Sequence, residues 1–405
     1  MDMSAGEAIP HYPATGGLLS RGMVGTMASQ FLSGLADNAL LFTTLALIRL
    51  RGYPHWSGPL IQELFVGAYI VLAPFVGDLA DRFPKGLVML CANLVKFAGA
   101  FAMALHLNPF LSYALVGVGA AANSPAKYGI LGELAPPSLL VRANGLLEGA
   151  TISAIVLGAV AGGALADWSV EGSVIVIAIC YAGSAAAAVL IPGHSAAAQA
   201  APYSLSGSLK AFLAQNRTLW NEHRARFAVI GTSIFWGAGA MLRFLVIAWV
   251  PIGLHVRNNR LPGFLTAMVA VGLTGGAAIA ARFIRLESMH RALPAGILIG
   301  LGTCLLPFVH TQPVAFGLMA CVGICSGIFV VPLDAALQDD GKKSVGAGAA
   351  IAIQNFFENF SMLIMVSGYT GITYLKVPID GIALGVGVFV ALAMGSLIFV
   401  RGRGA

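Results

Sequence analysis

Gly77-Asp78-Leu79-Ala80-Asp81-Arg82-Phe83-Pro84-Lys85-Gly86 packs four charges into ten residues, in a chain where charged residues make up only 10%. On either side lie apolar runs, near 60–80 and 86–106, each long enough to cross a hydrocarbon core of about 30 Å. A charged turn between two such runs is a solvent-facing hairpin between membrane helices. Moving outward in both directions, runs of the same length recur near 22–48, 109–132, 143–166, 172–191, 227–250, 262–281, 292–310, 314–337, 346–374 and 379–400. The segmentation therefore predicts an all-α polytopic membrane protein with twelve transmembrane helices. Composition agrees: 58% of the 405 residues are apolar and mean hydropathy is +0.84, too few charges to keep a soluble domain of this size in solution.

Lysine and arginine set the orientation. With both termini on the cytoplasmic side, fifteen fall in inner segments, among them Arg82, Lys85, Arg142, Lys210 and Arg217. Five fall outside: Arg49, Arg51, Arg257, Arg260 and Lys376. This is a positive-inside bias, so the net charge of +6 is mostly topology and not a nucleic-acid footprint. The N-terminus lacks the pattern of a cleavable signal peptide. All five cysteines lie in apolar runs; Cys321 and Cys325 share a helix face, but no histidine or carboxylate joins them as metal ligands.

The longest polar interruption, 193–225, separates two sets of six runs, 1–192 and 226–405, as a cytoplasmic linker between two bundles would. The sets echo each other at a spacing of roughly 206 residues. Pro125-Ala126-Lys127 answers Pro332-Leu333-Asp334, Asp37 answers Arg243, and Glu133 answers Asp339 and Asp340. Acid stands against base at each of the first two matches. Parallel six-helix repeats related by an axis along the membrane normal are the plan of the major facilitator fold. Pairs of glycines four apart, such as Gly158–Gly162, Gly272–Gly276 and Gly323–Gly327, allow close helix packing.

Three bases remain inside apolar runs: Lys96, Lys127 and Arg243. An ionisable group at bilayer depth costs at least about 2.5 kcal/mol and is normally kept for a substrate or a partner ion. Asp37, Glu148 and Glu358 are the matching acids. Asp37 and Arg243 either form a salt bridge between the two bundles or meet substrate directly. Lys96 snorkels, binds, or pairs with an acid of its own bundle. Asp78, Asp81 and Arg82 in the hairpin can latch one conformation through charge-assisted bonds, or simply be solvated and topogenic.

The hairpin resembles the signature loop of major facilitator transporters, with Pro84-Lys85-Gly86 departing from its usual basic end. Several further blocks resemble the bacterial lysophospholipid transporter (LplT) family. They include Gln30-Phe31-Leu32-Ser33 leading to Asp37-Asn38-Ala39-Leu40-Leu41-Phe42, and Ser124-Pro125-Ala126-Lys127-Tyr128-Gly129-Ile130-Leu131-Gly132-Glu133-Leu134. Phe235-Trp236-Gly237-Ala238-Gly239 before Leu242-Arg243-Phe244-Leu245, and Gln354-Asn355, continue the series in order. The resemblance implies a monomeric carrier in the bacterial inner membrane, without cofactor or metal. It would flip a glycerophospholipid that has lost one acyl chain from outer to inner leaflet, for reacylation by an acyltransferase/acyl-ACP synthetase on a separate polypeptide.

For such a substrate Lys127, Arg243 and Lys96 are candidates for the phosphodiester, arginine offering a bidentate grip. Asp37 and Glu358 would meet an ethanolamine ammonium or neutralise the bases. Asn38, Asn123, Tyr128, Gln354 and Asn355 would bind glycerol and ester groups. Asp78, Asp81, Arg82, Glu133, Glu148 and Asp334 are the candidate gating residues. The competing reading is a proton-coupled exporter of amphipathic cations, with Asp37 titrating; three buried bases would repel such a substrate. A lipid acyltransferase would need a His–Asp dyad with four intervening residues or a serine nucleophile elbow, and neither is present.

Overall fold

The computed structural model describes residues 17–135, 139–192, 205–345 and 347–401. The regular structure among those residues is helical, with no strand. The order is α1 (Arg21–Leu50), α2 (Ser57–Arg82), α3 (Lys85–Ala104), α4 (Pro109–Gly129), α5 (Leu131–Leu134), α6 (Leu140–Trp168), α7 (Val170–Ala188) and α8 (Leu205–Asn221). Then come α9 (His223–Gly253), α10 (Arg260–Phe283), α11 (Leu293–Cys304), α12 (Gln312–Ser344), α13 (Ala347–Tyr374) and α14 (Ile379–Arg401). A helix stands at each of the twelve expected positions. Ten, among the described residues, are long and apolar enough to cross a membrane. The other two are α4, which carries Asn123-Ser124-Pro125 in its second half, and α11, which is only 12 residues long.

The helices start where local chemistry stops them fraying. The Ser20 hydroxyl accepts from Met23 N, Asn108 Oδ1 accepts from Phe110 N and Leu111 N, and Ser169 Oγ accepts from Gly172 N. Each satisfies backbone donors that the first turn leaves open. Between helices the packing is set by small residues. On α10 and α12, Gly272 and Gly276 face Gly323 and Gly327, and a Cβ on any of the four would strike the opposite backbone. Close backbone approach is what glycine supplies where lipid provides no hydrophobic drive.

One group of helices packs as α1 on α6 and α7, α3 on α4 and α7, and α2 on α4. A second packs as α9 on α12, α13 and α14, α10 on α12, and α11 on α14. The groups meet along two seams, α2 against α13 and α6 against α10. The stretch 193–225, expected as a linker, holds an element of its own. Helix α8 buries Phe212 and Leu219 and packs on α2 from the first group and on α9, α12 and α13 from the second. It lies at the end of the bundle that also carries the Gly77–Gly86 turn, here called the basic end.

At the opposite end both seams are fastened. The Asp167 carboxylate closing α6 accepts from Asn259 N and Asn259 Nδ2, both at 2.9 Å, and pairs with Arg260 Nε at 3.3 Å. Arg49 on α1 donates to Asn259 Oδ1 at 3.4 Å. At Gly163 and Gly263 the two backbones touch so closely that a Cβ would collide with the Asn259 and Ala159 carbonyls. Across the other seam Thr370 Oγ1 donates to Glu63 Oε1 at 2.7 Å, and Trp56 meets Tyr374 edge-on.

Candidate functional site

Halfway along α1, Asp37 is held from behind. Lys96 Nζ on α3 donates to Asp37 Oδ2 at 2.7 Å and to Ser33 Oγ at 2.8 Å. Tyr181 on α7 donates to Asp37 Oδ1 at 2.8 Å, and its ring lies 5.7 Å from the Lys96 ammonium. Only 2% of the Lys96 side chain is exposed against 24% of Asp37, so the carboxylate is the member with an open side. Below it a polar seam continues: Asn93 Nδ2 donates to Ser29 Oγ, which lies 3.0 Å from Ser184 Oγ. Of the two alternatives for Asp37 and Arg243, the salt bridge is not formed; of those for Lys96, pairing with an acid of its own bundle is the one seen. An ammonium one helix away reaches the carboxylate inside its own group, with no need to span the gap between groups.

Arg243 on α9 is half-buried and forms no hydrogen bond or ion pair among the described residues. It and Asp37 are both within electrostatic reach of Tyr113 on α4, and Tyr69 on α2 is in reach of Asp37 and Tyr113. Tyr113 and Tyr69 are joined through Phe65, at 5.4 and 5.7 Å between ring centroids. Tyr113, itself buried, is thus the one group among the described residues that both the Asp37 carboxylate on one set of helices and the Arg243 guanidinium on the other influence.

A third feature lies between α12 and α13. Gln354 Nε2 donates to Asp334 Oδ1 at 2.7 Å and to Glu358 Oε1 at 2.8 Å, so one amide bridges two carboxylates. Asp334, expected to gate, is therefore tied to two residues expected to bind. Of the remaining candidates, Asn38 Nδ2 is spent on the Gly34 carbonyl, and Asn355 lends its carbonyl to Asn359 Nδ2. Asn123 is buried with Oδ1 accepting nothing among the described residues. Lys127 is half-buried in the last turn of α4, nearer the basic end than mid-membrane, where a cation also suits the helix dipole.

Glu133 on α5 forms an ion pair with Lys85 at the start of α3, inside the first group of helices. Arg82 is half-buried and engaged. The side chains of Asp78, Asp81, Tyr128 and Glu148 lie outside the described ones. Sequence reasoning missed Tyr181, Ser33, Tyr69, Tyr113 and the Asp167–Asn259 fastening. Hydroxyls on apolar helices give no signal of their own, and an acid at a helix end reads as solvated.

Two six-helix groups meeting along paired seams, each with ionisable side chains buried within its apolar helices, define a membrane carrier of the major facilitator type. The chain belongs to the Major Facilitator Superfamily, whose family description matches residues 26–366. Within it the near relatives are lysophospholipid transporters of the LplT family. The Lysophospholipid transporter LplT of Escherichia coli O157:H7 is 50% identical over 380 residues, covering 94% of this chain and 96% of the relative. That of Salmonella arizonae is 49% identical over the same span. Among solved structures, the nucleoside transporter NupG superposes with a TM-score of 0.73 at 12% identity, covering 95% of this chain and 99% of that one. A bacterial homologue of the human lysosomal transporter Spinster gives 0.68 at 14% identity, with 96% and 100% covered. At such identities the likeness speaks for the fold alone.

Proposed function

We propose that this chain is a lysophospholipid transporter that moves one-tailed glycerophospholipids from the outer to the inner leaflet of a bacterial inner membrane. The basic end faces the cytoplasm. The helices of 1–192 and of 226–405 rock against each other along the two seams, opening the central site to each side in turn. Reacylation by an acyltransferase/acyl-ACP synthetase would consume the product.

The observation that carries this reading is Arg243: a guanidinium within an apolar bundle that no described residue neutralises, with Tyr113 in electrostatic reach of both it and Asp37. A phosphodiester satisfies it with two parallel charge-assisted bonds. Lys96 already neutralises Asp37, so the site offers an anion more than it offers a cation. The Asp334–Gln354–Glu358 arrangement gives an ethanolamine ammonium a place on the second group of helices, and Lys127 extends the basic lining toward the cytoplasmic end. Tyr69, Tyr113 and Asn123 supply hydrogen bonds for glycerol and ester oxygens, while the tail stays along apolar helix faces. Proton-coupled export of cations fits less well. Both oxygens of Asp37 are engaged, by Lys96 and Tyr181, and a cation would meet Arg243 and Lys127 as well.

Competition decides between them. In spheroplasts expressing the chain, uptake of labelled lysophosphatidylethanolamine is expected to fall when unlabelled lysophosphatidylglycerol is added and to stay level with a single-chain quaternary ammonium amphiphile. Inhibition by the amphiphile alone would support the exporter.

A further inference from the structure

Helix α8 has three faces. Phe212 and Leu219, seven residues apart, are buried against the bundle. Leu209, Leu213 and Trp220, at spacings of four and seven, form an apolar stripe that is 42%, 57% and 38% exposed. Lys210 and Arg217, again seven apart and each beside that stripe, are exposed. A helix whose outer side needed only water would not set two leucines and a tryptophan there; an apolar stripe flanked by basic residues is the pattern of a helix lying in a lipid interface.

Its neighbours place it at that interface. Phe212 packs edge-on against Phe356 of α13 at 5.5 Å between centroids, and Phe356 stacks on Phe360 at 6.1 Å. Phe360 is 43% exposed and Ile364, one turn further, 56% exposed, on the lipid side of α13. The aromatic ladder therefore runs from the buried face of α8 into the surface that hydrocarbon covers. Trp220 sits 5.1 Å from Phe357 on the same helix.

We infer that α8 is a lipid-binding strap: Leu209, Leu213 and Trp220 enter the boundary of the adjoining leaflet while Lys210 and Arg217 hold anionic phospholipid headgroups there. Because α8 packs on α2 from one group of helices and on α9, α12 and α13 from the other, the lipid it holds bears on the seam that must part when the basic end opens. The inference rests on the topology proposed above only in naming that leaflet as the cytoplasmic one; the lipid contact itself follows from the faces of the helix.

The test needs no transport. The full chain is placed in nanodiscs of phosphatidylcholine in which a fraction of either phosphatidylcholine or phosphatidylglycerol carries bromine on its acyl chains. The fluorescence difference between wild type and Trp220→Phe isolates Trp220. Quenching of that component is expected from both lipids, with brominated phosphatidylglycerol effective at several-fold lower content. A basic side chain near an anionic surface adds a factor of about five, so Lys210→Glu/Arg217→Glu is expected to abolish the preference while quenching by phosphatidylcholine persists. No quenching by either lipid would overturn the inference and leave the stripe open to a protein partner. Equal quenching by both in the wild type would overturn the anionic part. Neither result would touch the transport reading, which stands on the uptake assay.

Discussion

Removing Lys96 is the sharpest perturbation the central site allows. Its side chain is 2% exposed, and its ammonium holds the Asp37 carboxylate at 2.7 Å. Breaking a buried pair from one side leaves a charge uncompensated and costs about 3–5 kcal/mol. In Lys96→Met, Asp37 keeps Tyr181 and has 24% of its side chain open, which places the loss near the lower end of that range. In Asp37→Asn the stranded group is the deeper lysine, left with Ser33 and the amide oxygen of the new side chain, and the loss should be at least as large. Removing both charges strands neither. The double variant is therefore expected to unfold at a higher temperature in detergent than either single variant, with a coupling of about 2–3 kcal/mol. Single losses that simply add would refute the pairing. Uptake separates structure from function: if the Asp37 carboxylate also faces substrate, the double variant recovers its fold and remains inactive.

Three further outcomes follow from the same geometry. Arg243→Ala is expected to abolish uptake without lowering the unfolding temperature, since no ion pair is lost and an uncompensated charge is removed; a large drop would show a structural role instead. Asp167→Ala removes two hydrogen bonds to a charged acceptor, worth about 1.5–3 kcal/mol each, and is expected to shift the balance toward opening at the end remote from α8 by at least about tenfold. Labelling of a cysteine at Val160 by an impermeant thiol reagent, in a background without the native cysteines, reads that shift; unchanged labelling would deny the fastening. Gly162 abuts Ala39 of α1 inside one group of helices, whereas Gly263 abuts Ala159 across the seam. Gly162→Ala is expected to lower the unfolding temperature, and Gly263→Ala to lower transport with a smaller thermal effect, as paired melting and uptake measurements will show.

Much of this molecule is legible in its sequence because a bilayer imposes length and polarity on every span. Hydropathy placed the helices, and the positions of Lys96, Asp37 and Arg243 within apolar runs marked them as charges needing partners. Pairing was a different matter. The repeat matched Asp37 with Arg243 as equivalents in two bundles, but equivalence under an axis does not bring two residues together. Which way Lys96 turns depends on the register of α3 against α1, which one chain's periodicity does not contain. Tyr181 and Ser33 were invisible because a hydroxyl in an apolar helix usually serves its own backbone. Helix α8 was overlooked for another reason: 193–225 reads as polar on average, and averaging hides the spacing of Leu209, Phe212, Leu213, Leu219 and Trp220.

The central claim is that a lysophospholipid crosses through the site that Arg243 and Asp37 share. Its most direct test is uptake of labelled lysophosphatidylethanolamine by proteoliposomes containing the purified chain, beside Arg243→Ala and Lys127→Ala shown to be folded. Rapid uptake by the wild type that both variants lose is the expected result. Folded wild-type protein that moves no lysophospholipid would contradict the function, and uptake surviving in Arg243→Ala would contradict the site.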